Sequence, residues 1–174
     1  MKKLTLIFIL FTNILSSQEI LRIDNLSSTI SYSGKHFLHN WDATNENISG
    51  LIELNGNQIS KIGVLAKVTD FKSGNSSLDS NSLRVLDALK IPNIVFRSTE
   101  IVETSDIISV YGTISFHGIE KDISVVLNKS INNDIVSLTG KFIIKLSDFK
   151  VKRPSLLLQK INDEIEVQIN LIFN

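Results

Sequence analysis

The 174-residue sequence contains no cysteine. Disulfide bonds, a lipidated cysteine anchor and thiol catalysis are therefore excluded. The domain must be stabilised by its hydrophobic core alone, and a chain of this length can do so, because a single domain of this size buries on the order of 70% of its unfolded surface.

The sequence also lacks an excess of charge of one sign. Its 18 Lys and Arg residues balance its 18 Asp and Glu residues, and loss of Lys2 and Lys3 would leave a net charge near minus two. A nucleic-acid-binding protein needs a basic face to neutralise phosphates. The composition therefore argues against nucleic acid as a partner.

No apolar run is long enough for a transmembrane helix. The longest, residues 4–15, has about 12 residues, whereas a spanning helix needs roughly 20. It follows Met1, Lys2 and Lys3 and precedes Ser16, which is the order of charged, apolar and small residues in a secretory signal peptide. We expect residues 1–17 to be a cleaved signal peptide and residues 18–174 to be one exported domain.

Signatures of catalysis are also missing from the sequence. There is no Gly-x-Ser-x-Gly nucleophile elbow and no glycine-rich phosphate loop. His36 and His39 could place two metal ligands together, but no third ligand at a supporting spacing is identifiable. We therefore predict no catalytic residue, no catalytic cofactor and no metal site, so the protein is not expected to be an enzyme.

What the sequence does contain is a repeated strand pattern, clearest at residues 107–117. Ile108, Val110, Ile114 and Phe116 alternate with polar residues, which is typical of a half-buried antiparallel strand. His117 lies at the strand end before a glycine, where we expect a turn and an imidazole bonded to nearby backbone.

Similar alternation predicts about eight main strands in all. The first strand is predicted to be interrupted near residues 25–28. Residues 34–43 are predicted to be a polar connection. The dipeptide Asn55-Gly56 predicts a type I′ turn. Leu83, Leu86 and Leu89 repeat at helical spacing, so residues 78–90 are predicted to be a helix capped by Ser80 or Ser82 and ended by Pro92. This pattern is typical of a closed antiparallel barrel or a two-layer sandwich, which periodicity alone does not separate.

A barrel of about eight strands has a lumen that either fills with side chains or holds one small ligand. Many inward-facing candidates are medium-sized β-branched residues or glycine, such as Val64, Val125, Gly112 and Gly140. These leave room for a cavity. A fully packed core is the alternative.

Several stretches together resemble the YceI-like family of exported lipid-binding proteins. They occur in the family's order over the whole chain after the leader. They are STISY at 28–32, FKSGN at 71–75, LKIPNIVF at 89–96, the strand and turn at 112–121, and GKFIIKLSDF at 140–149 followed by Arg153-Pro154.

The resemblance implies an all-β fold, an antiparallel up-and-down eight-stranded lipocalin-like barrel with one short flanking α-helix. It implies that the lumen holds a long apolar isoprenoid chain, an isoprenoid quinone or polyprenyl lipid, for storage, transport or stress response. An apolar small-molecule lipid is then the partner, with room for transient membrane contact or a homodimer. A periplasmic or secreted location follows.

Two rival hypotheses stay open. One is an exported structural or interaction β-domain with a filled core and no small-molecule ligand. The other is a metal-dependent enzyme that uses His36 and His39.

The predicted site residues form a lumen and a mouth. The mouth lies in the segment 34–42, where His36, His39 and Trp41 are expected to contact a polar head group. The predicted lumen residues are the apolar side chains on the inward faces of the strands: Ile30, Tyr32, Ile52, Val64, Ala66, Val68, Phe96, Val110, Ile114, Phe116, Ile123, Val125, Phe142, Ile144, Val167 and Ile169.

Overall fold

The computed structural model describes residues 18–36, 40–156 and 159–174. The predicted signal peptide, residues 1–17, lies outside the described residues, and so does His39. Among the described residues, no helix has the length and apolar character needed to cross a membrane.

In the described part of the chain, the main element is a 10-stranded antiparallel sheet. One α-helix, α1 (Ser76–Val85), lies in a connection between two of its strands. In chain order the strands are β1 (Gln18–Arg22), β2 (Thr29–Lys35), β3 (Asn40–Asn45), β4 (Ile48–Asn55), β5 (Gln58–Lys67), β6 (Asn93–Thr104), β7 (Ile107–Phe116), β8 (Ile119–Asn132), β9 (Ile135–Lys145), β10 (Ser155–Leu156), β11 (Gln159–Lys160) and β12 (Glu164–Phe173). Strands β10 and β11 form a separate hairpin.

The sheet forms an eight-stranded barrel because each of its first two wall strands is broken into two halves. Strands β1 and β2 are the halves of one long strand, and β3 and β4 are the halves of the next, since β1 pairs with β4 and β2 pairs with β3. Strands β5 to β9 follow in chain order, and β12 pairs with both β9 and β2. The predicted all-β, up-and-down eight-stranded barrel with one flanking helix is confirmed.

The barrel closes where its first strand meets its last. The backbone N–H of Arg22 donates to the carbonyl oxygen of Asn174 at 2.9 Å, and the N–H of Asn174 donates to the carbonyl oxygen of Arg22 at 3.0 Å. Farther along the same edge, Ile30 of β2 pairs with Ile169 of β12. The ring of strands is complete along this edge.

The predicted interruption at residues 25–28 separates β1 from β2, and polar side chains replace the missing ladder there. The buried Ser28 hydroxyl accepts the Ile172 N–H at 2.9 Å and lies 3.3 Å from the Ile172 carbonyl oxygen. The Asn25 Oδ1 atom accepts the N–H of Ile48 at 2.9 Å. Because these buried backbone groups are satisfied, the strand can break without an unpaired polar group.

The prediction of a polar connection over residues 34–43 is wrong at residues 34–35, which belong to β2, and at residues 40–43, which belong to β3. Strand β3 occupies Asn40–Asn45 and pairs with β2, and Trp41 lies opposite Gly34. A side chain at Gly34 would overlap the Trp41 ring, so the glycine makes room for the indole on the sheet. Only two apolar side chains, those of Trp41 and Ala43, mark this strand, which is too few for a clear alternation.

The turn predicted at Asn55-Gly56 is displaced by one residue. Asn55 pairs with Gln58, so Gly56 and Asn57 are the loop residues. Gly56 has φ +60° and Asn57 does not have a positive φ, which is the arrangement of a type II′ rather than a type I′ turn.

The turn predicted after β7 is present, and it joins β7 to β8. His117 and Gly118 have φ values of +50° and +73°, as a type I′ hairpin requires. The His117 Nδ1 atom donates to the carbonyl oxygen of Phe149 at 2.9 Å. The expected bond between this imidazole and nearby backbone is confirmed.

Helix α1 begins earlier and ends earlier than predicted. Its N-cap is Asn75, whose Oδ1 accepts the N–H groups of Ser77 and Leu78 at 3.0 and 3.1 Å. The predicted caps Ser80 and Ser82 lie inside the helix. An asparagine just before the first turn satisfies its free N–H groups, and this capping overrides the apolar spacing that suggested a later start.

Two clusters of buried side chains mark the ends of the barrel. One lies at the end where the short β4–β5, β6–β7 and β8–β9 turns meet, and it includes Ile108 and Phe173. The other lies at the opposite end, beside α1 and the 3-10 helix Leu146–Phe149, and it includes Ile114 and Phe149. We call the end of the barrel that contains Ile108 and Phe173 the packed end, and the end that contains Ile114 and Phe149 the helix end.

Candidate functional site: an apolar cavity in the barrel

The barrel contains a cavity of about 540 Å³ between its packed end and α1. Its wall consists mainly of aliphatic and aromatic side chains on the inward faces of the strands. The predicted lumen residues that line it are Ile30, Tyr32, Val64, Ala66, Val68, Phe96, Val110, Ile114, Phe116, Ile123, Val125, Phe142, Ile144, Val167 and Ile169.

Ile52 is the predicted lumen residue that does not line the cavity. It faces inward, but it is fully buried in the cluster at the packed end, opposite Ile62. Ile62 itself reaches the cavity. The alternation of a strand tells which face points inward, but it does not tell how far along the barrel axis a residue lies.

The floor of the cavity is the upper surface of the packed cluster. Val110, Val125, Leu127 and Leu138 belong to that cluster and also line the cavity. They are branched side chains of moderate size, which fill the narrow space at the packed end and leave the space above them open.

The inward-facing glycines do not create the cavity, contrary to the expectation from the sequence. A Cβ atom at Gly112 would overlap the ring of Phe96, and one at Gly140 would overlap the side chain of Leu127. Neighbouring side chains already occupy the space at both glycines. The cavity comes instead from the medium-sized residues higher in the barrel, such as Val64.

Helix α1 covers the helix end of the cavity. It lies in the connection between β5 and β6, and Leu78, Leu83 and Val85 line the cavity from above. Sequence reasoning recognised this helix but did not place its apolar face in the site. The helical spacing of its leucines was the signal, because an apolar stripe on a surface helix faces the core.

The start of α1 is held by a carboxylate. Asp79 Oδ1 accepts the Ser73 hydroxyl at 2.5 Å and the Ser73 N–H at 2.9 Å. The Ser73 hydroxyl, assisted by the N–H, holds the pKa of Asp79 below its ordinary value. These bonds fix the loop before α1 to the first turn of the helix.

Tyr32 is the polar group on the strand wall that faces α1. Burial raises the pKa of its phenol, and the carboxylates of Asp79 and Asp42 act in the same direction. A hydrogen bond from Ser82 of α1 opposes this shift by favouring the phenolate. The phenol is therefore neutral at physiological pH, and it connects the wall of the barrel to the helix above it.

His36 and Trp41, two of the predicted mouth residues, also line the cavity. His36 is buried, and its Nε2 atom lies 3.2 Å from the carbonyl oxygen of Gln159 in β11. Trp41 packs across Gly34. His36 therefore joins the end of β2 to β11 at the border of the cavity.

Several further lining residues were missed by sequence reasoning. Phe71, Ile94, Leu146, Val151 and Ile161 all reach the cavity from connections or strand ends at the helix end. Ile94 has the parity of Phe96 in β6, and Leu146 continues the parity of Ile144, so alternation was the signal for these two. The other three lie in connections, where isolated apolar residues carry no periodicity.

Metal-ligating groups do not cluster in the described part of the chain. No group of three or more His, Cys, Asp or Glu side chains lies close enough there to hold an ion. The site as described offers mainly apolar surface, with a few polar groups and the charged side chains of Asp79 and Arg84 on the α1 side.

Comparisons with known proteins agree with this architecture. The YceI-like domain family matches residues 21–173. Among solved structures, Burkholderia cenocepacia BcnA is similar with a TM-score of 0.78 and 18% identity, over 86% of this chain and 98% of BcnA. A search of curated proteins found no match.

Two other solved structures share the fold. A polyisoprenoid binding domain from Saccharophagus degradans has a TM-score of 0.72 and 14% identity, over 88% of this chain and 97% of that domain. The Campylobacter jejuni YCEI protein has a TM-score of 0.64 and 23% identity, over 79% of this chain and 87% of that protein. With the family match extending from β1 to the last residue of β12, the chain belongs to the YceI-like family.

Proposed function

We propose that this protein binds a long apolar isoprenoid chain, either an isoprenoid quinone or a polyprenyl lipid, in the cavity of its barrel. The observation that carries the proposal is the cavity of about 540 Å³ with its largely apolar wall. The similarity to a structure described as a polyisoprenoid binding domain supports the choice of ligand class.

The size of the cavity suits a chain of this kind. Small-molecule sites have volumes of about 300 to 1,000 Å³. If a carbon-sized group takes roughly the 30 Å³ share of a liquid water molecule, the cavity holds about 18 such groups, or about three to four isoprene units. A longer chain would extend beyond it.

Apolar burial alone can provide useful affinity. At about 0.8 kcal/mol per buried CH₂, a five-carbon unit contributes up to roughly 3 to 4 kcal/mol. About four units then give up to roughly 14 kcal/mol, against an association cost of about 4 to 15 kcal/mol. A cost near 6 kcal/mol leaves the roughly 8 kcal/mol of a micromolar Kd.

The protein acts by binding rather than by catalysis. The polar groups on the cavity wall include a neutral phenol, the imidazole of His36 and the indole of Trp41. His36 and Trp41 suit contact with a polar head group at the mouth. Storage, transport or a stress response are the roles that fit a non-catalytic lipid carrier.

We also propose that the protein is exported, with residues 1–17 removed as a signal peptide. The charged, apolar and small residues of that segment support this. Cell fractionation and N-terminal sequencing of the mature protein test it. A protein that retains Met1 in the cytoplasm would contradict it.

Mass spectrometry of organic extracts from protein purified from its native host tests the ligand directly. We expect an isoprenoid to copurify with the folded protein and to be absent from a parallel preparation unfolded in urea. Titration with an isoprenoid quinone gives a second measurement, because Trp41 is the sole tryptophan and lines the cavity. We expect its fluorescence to be quenched at micromolar ligand.

The matched control is a quinone with the same ring and no isoprenoid tail, which should not bind in this range. Absence of both a copurifying lipid and quenching at tens of micromolar would contradict the proposal. It would favour a structural or interaction domain instead.

A further inference from the structure

The wall of the barrel is not hydrogen-bonded along the whole of β8 and β9. Their pairing runs from Asn132↔Ile135 to Asn128↔Thr139 and stops there. Beyond that point β8 continues as a strand paired with β7, and β9 continues as a strand paired with β12. The two neighbours are therefore unpaired along residues 119–127 of β8 and 140–145 of β9.

This separation has definite ends. At the packed end, Gly140 still lies against Leu127, as the overlap of a Cβ atom there shows. At the helix end, Phe149 packs edge-on against Phe116 at 5.2 Å, and its carbonyl oxygen accepts the His117 imidazole. The result is a slit in the side of the barrel, which we call the β8–β9 slit.

The slit lies at the level of the cavity. Ile123 and Val125 on the β8 edge line the cavity, and so do Phe142 and Ile144 on the β9 edge. No backbone ladder joins β8 to β9 along the slit, whereas paired backbone closes the wall along β7–β8 and β9–β12.

Each edge of the slit carries one exposed apolar side chain among charged ones, which are Glu120 and Asp122 on β8 and Lys141 and Lys145 on β9. Val126 of β8 is 59% exposed and Ile143 of β9 is 61% exposed. Continuing the register of the paired segment would place Val126 opposite Lys141 and Ser124 opposite Ile143.

The helix end offers a less open route. Helix α1 covers it, and the bonds from Ser73 to Asp79 hold the loop before the helix. Behind the helix, Ala88 is buried and the Pro92 carbonyl oxygen accepts the Val68 N–H at 2.8 Å. Opening this end would break a set of hydrogen bonds, whereas widening the slit breaks no backbone pairing between β8 and β9.

We propose that the β8–β9 slit is a lateral portal through which the isoprenoid chain passes between a lipid bilayer and the cavity. The inference rests on the proposed function. The exposed Val126 and Ile143 on the two edges lie against the bilayer during transfer, and the chain slides between the two strands. The head group then remains toward the mouth.

A reversible cross-link across the slit tests the portal. The chain has no native cysteine, so Ser124→Cys with Ile143→Cys can be joined selectively by a short bis-methanethiosulfonate reagent. The readout is the rate of Trp41 quenching when protein is mixed with phosphatidylcholine vesicles that contain an isoprenoid quinone of about four units. We expect the cross-link to slow loading about tenfold or more, because it holds the two edges of the slit together. Reductant should cleave the cross-link and restore the rate.

The matched control shares one of the two cysteines. Ser124 lies directly opposite Tyr111 in the paired β7–β8 ladder, so Ser124→Cys with Tyr111→Cys places the same reagent across intact pairing. We expect loading within about twofold of the uncross-linked protein. Thermal unfolding of both variants checks that neither substitution disturbs the fold.

The outcomes separate the two proposals. If the protein with the cross-linked slit binds the quinone at equilibrium and loads it at an unchanged rate, the portal alone is overturned. Equal slowing of loading in both cross-linked variants would also overturn only the portal. Absence of any quinone binding by the reduced proteins would overturn the proposed function and the portal with it.

Discussion

The Lys129 ammonium and the Glu103 carboxylate lie 2.5 Å apart, with only 10% and 12% of their side chains exposed. The second oxygen of the same carboxylate accepts the N–H of Ile59 at 2.7 Å. This pair therefore joins β8, β6 and β5 at the packed end of the barrel.

Lys129→Met should destabilise the protein by about 3 to 5 kcal/mol, because it leaves a mostly buried carboxylate without its cation. The control is Lys61→Met, which breaks the pair between Glu53 and Lys61, where the lysine is 66% exposed. Its cost should stay below about 1 kcal/mol. Urea unfolding measures both, and equal costs would show that the buried pair has no special role.

Ile114→Trp should block ligand binding with little loss of stability, because the larger side chain can enter the cavity. Ile108→Trp is the control on the same strand and the same inward face. Ile108 lies in the packed cluster, where overpacking should cost at least about 1 to 3 kcal/mol. Calorimetric binding and urea unfolding separate the two effects. A large loss of stability in both variants would mean that the space at Ile114 cannot accept a ligand.

The Tyr32 phenol should titrate above its ordinary value of 10.0, chiefly because it is buried. The protein has two tyrosines, so in a Tyr111→Phe variant the phenolate absorbance reports Tyr32 alone. Asp79→Asn should lower the midpoint, since it removes a negative charge that opposes ionisation. A midpoint at or below 10.0 would contradict the burial.

The raised pKa of Tyr32 has a consequence for stability. Above about pH 10 the unfolded chain releases the phenol proton before the folded protein does, so the folded state binds more protons and the free energy of unfolding falls as the pH rises. Below about pH 10 both states keep the proton and the contribution is fully present. Tyr32→Phe should show a shallower decline than the wild type in the alkaline range.

Gly112→Ala should destabilise the protein by about 1 to 3 kcal/mol, because the added Cβ atom overlaps the ring of Phe96 and the carbonyl oxygen of Arg97. Gly63→Ala is the matched control. A Cβ atom there meets nothing within 4 Å, so this change should stabilise the strand by about 0.5 to 1 kcal/mol. Unfolding measurements that show the same sign for both would contradict the packing of Phe96.

The sequence predicted which side chains face inward better than it predicted where they lie along the barrel. Ile52 and Ile114 both belong to an alternating pattern in the sequence, and both face inward. Ile52 nevertheless lies in the packed end, whereas Ile114 borders the cavity. Depth depends on the stagger of strands that are distant in sequence, and no local pattern encodes that stagger.

Local chemistry explains the other differences. Asn75 caps α1 because its side chain reaches two free N–H groups, although the leucine spacing suggested a later start. Strand β3 escaped notice because Trp41 packs over Gly34, a cross-strand contact that alternation does not reveal. The slit could not be foreseen either, since both of its edges read as ordinary strands.

The pairing of Arg22 with Asn174 also sets the order in which the molecule can assemble. These residues are almost a whole chain apart, so the closing contact has the highest loop-closure cost in the barrel and is expected to form late. Until β12 is in place, the inner faces of the earlier strands have no enclosing wall, and such intermediates are prone to aggregate. The cavity is enclosed only once the last strand is in place, so the binding site is expected to form at the end of folding.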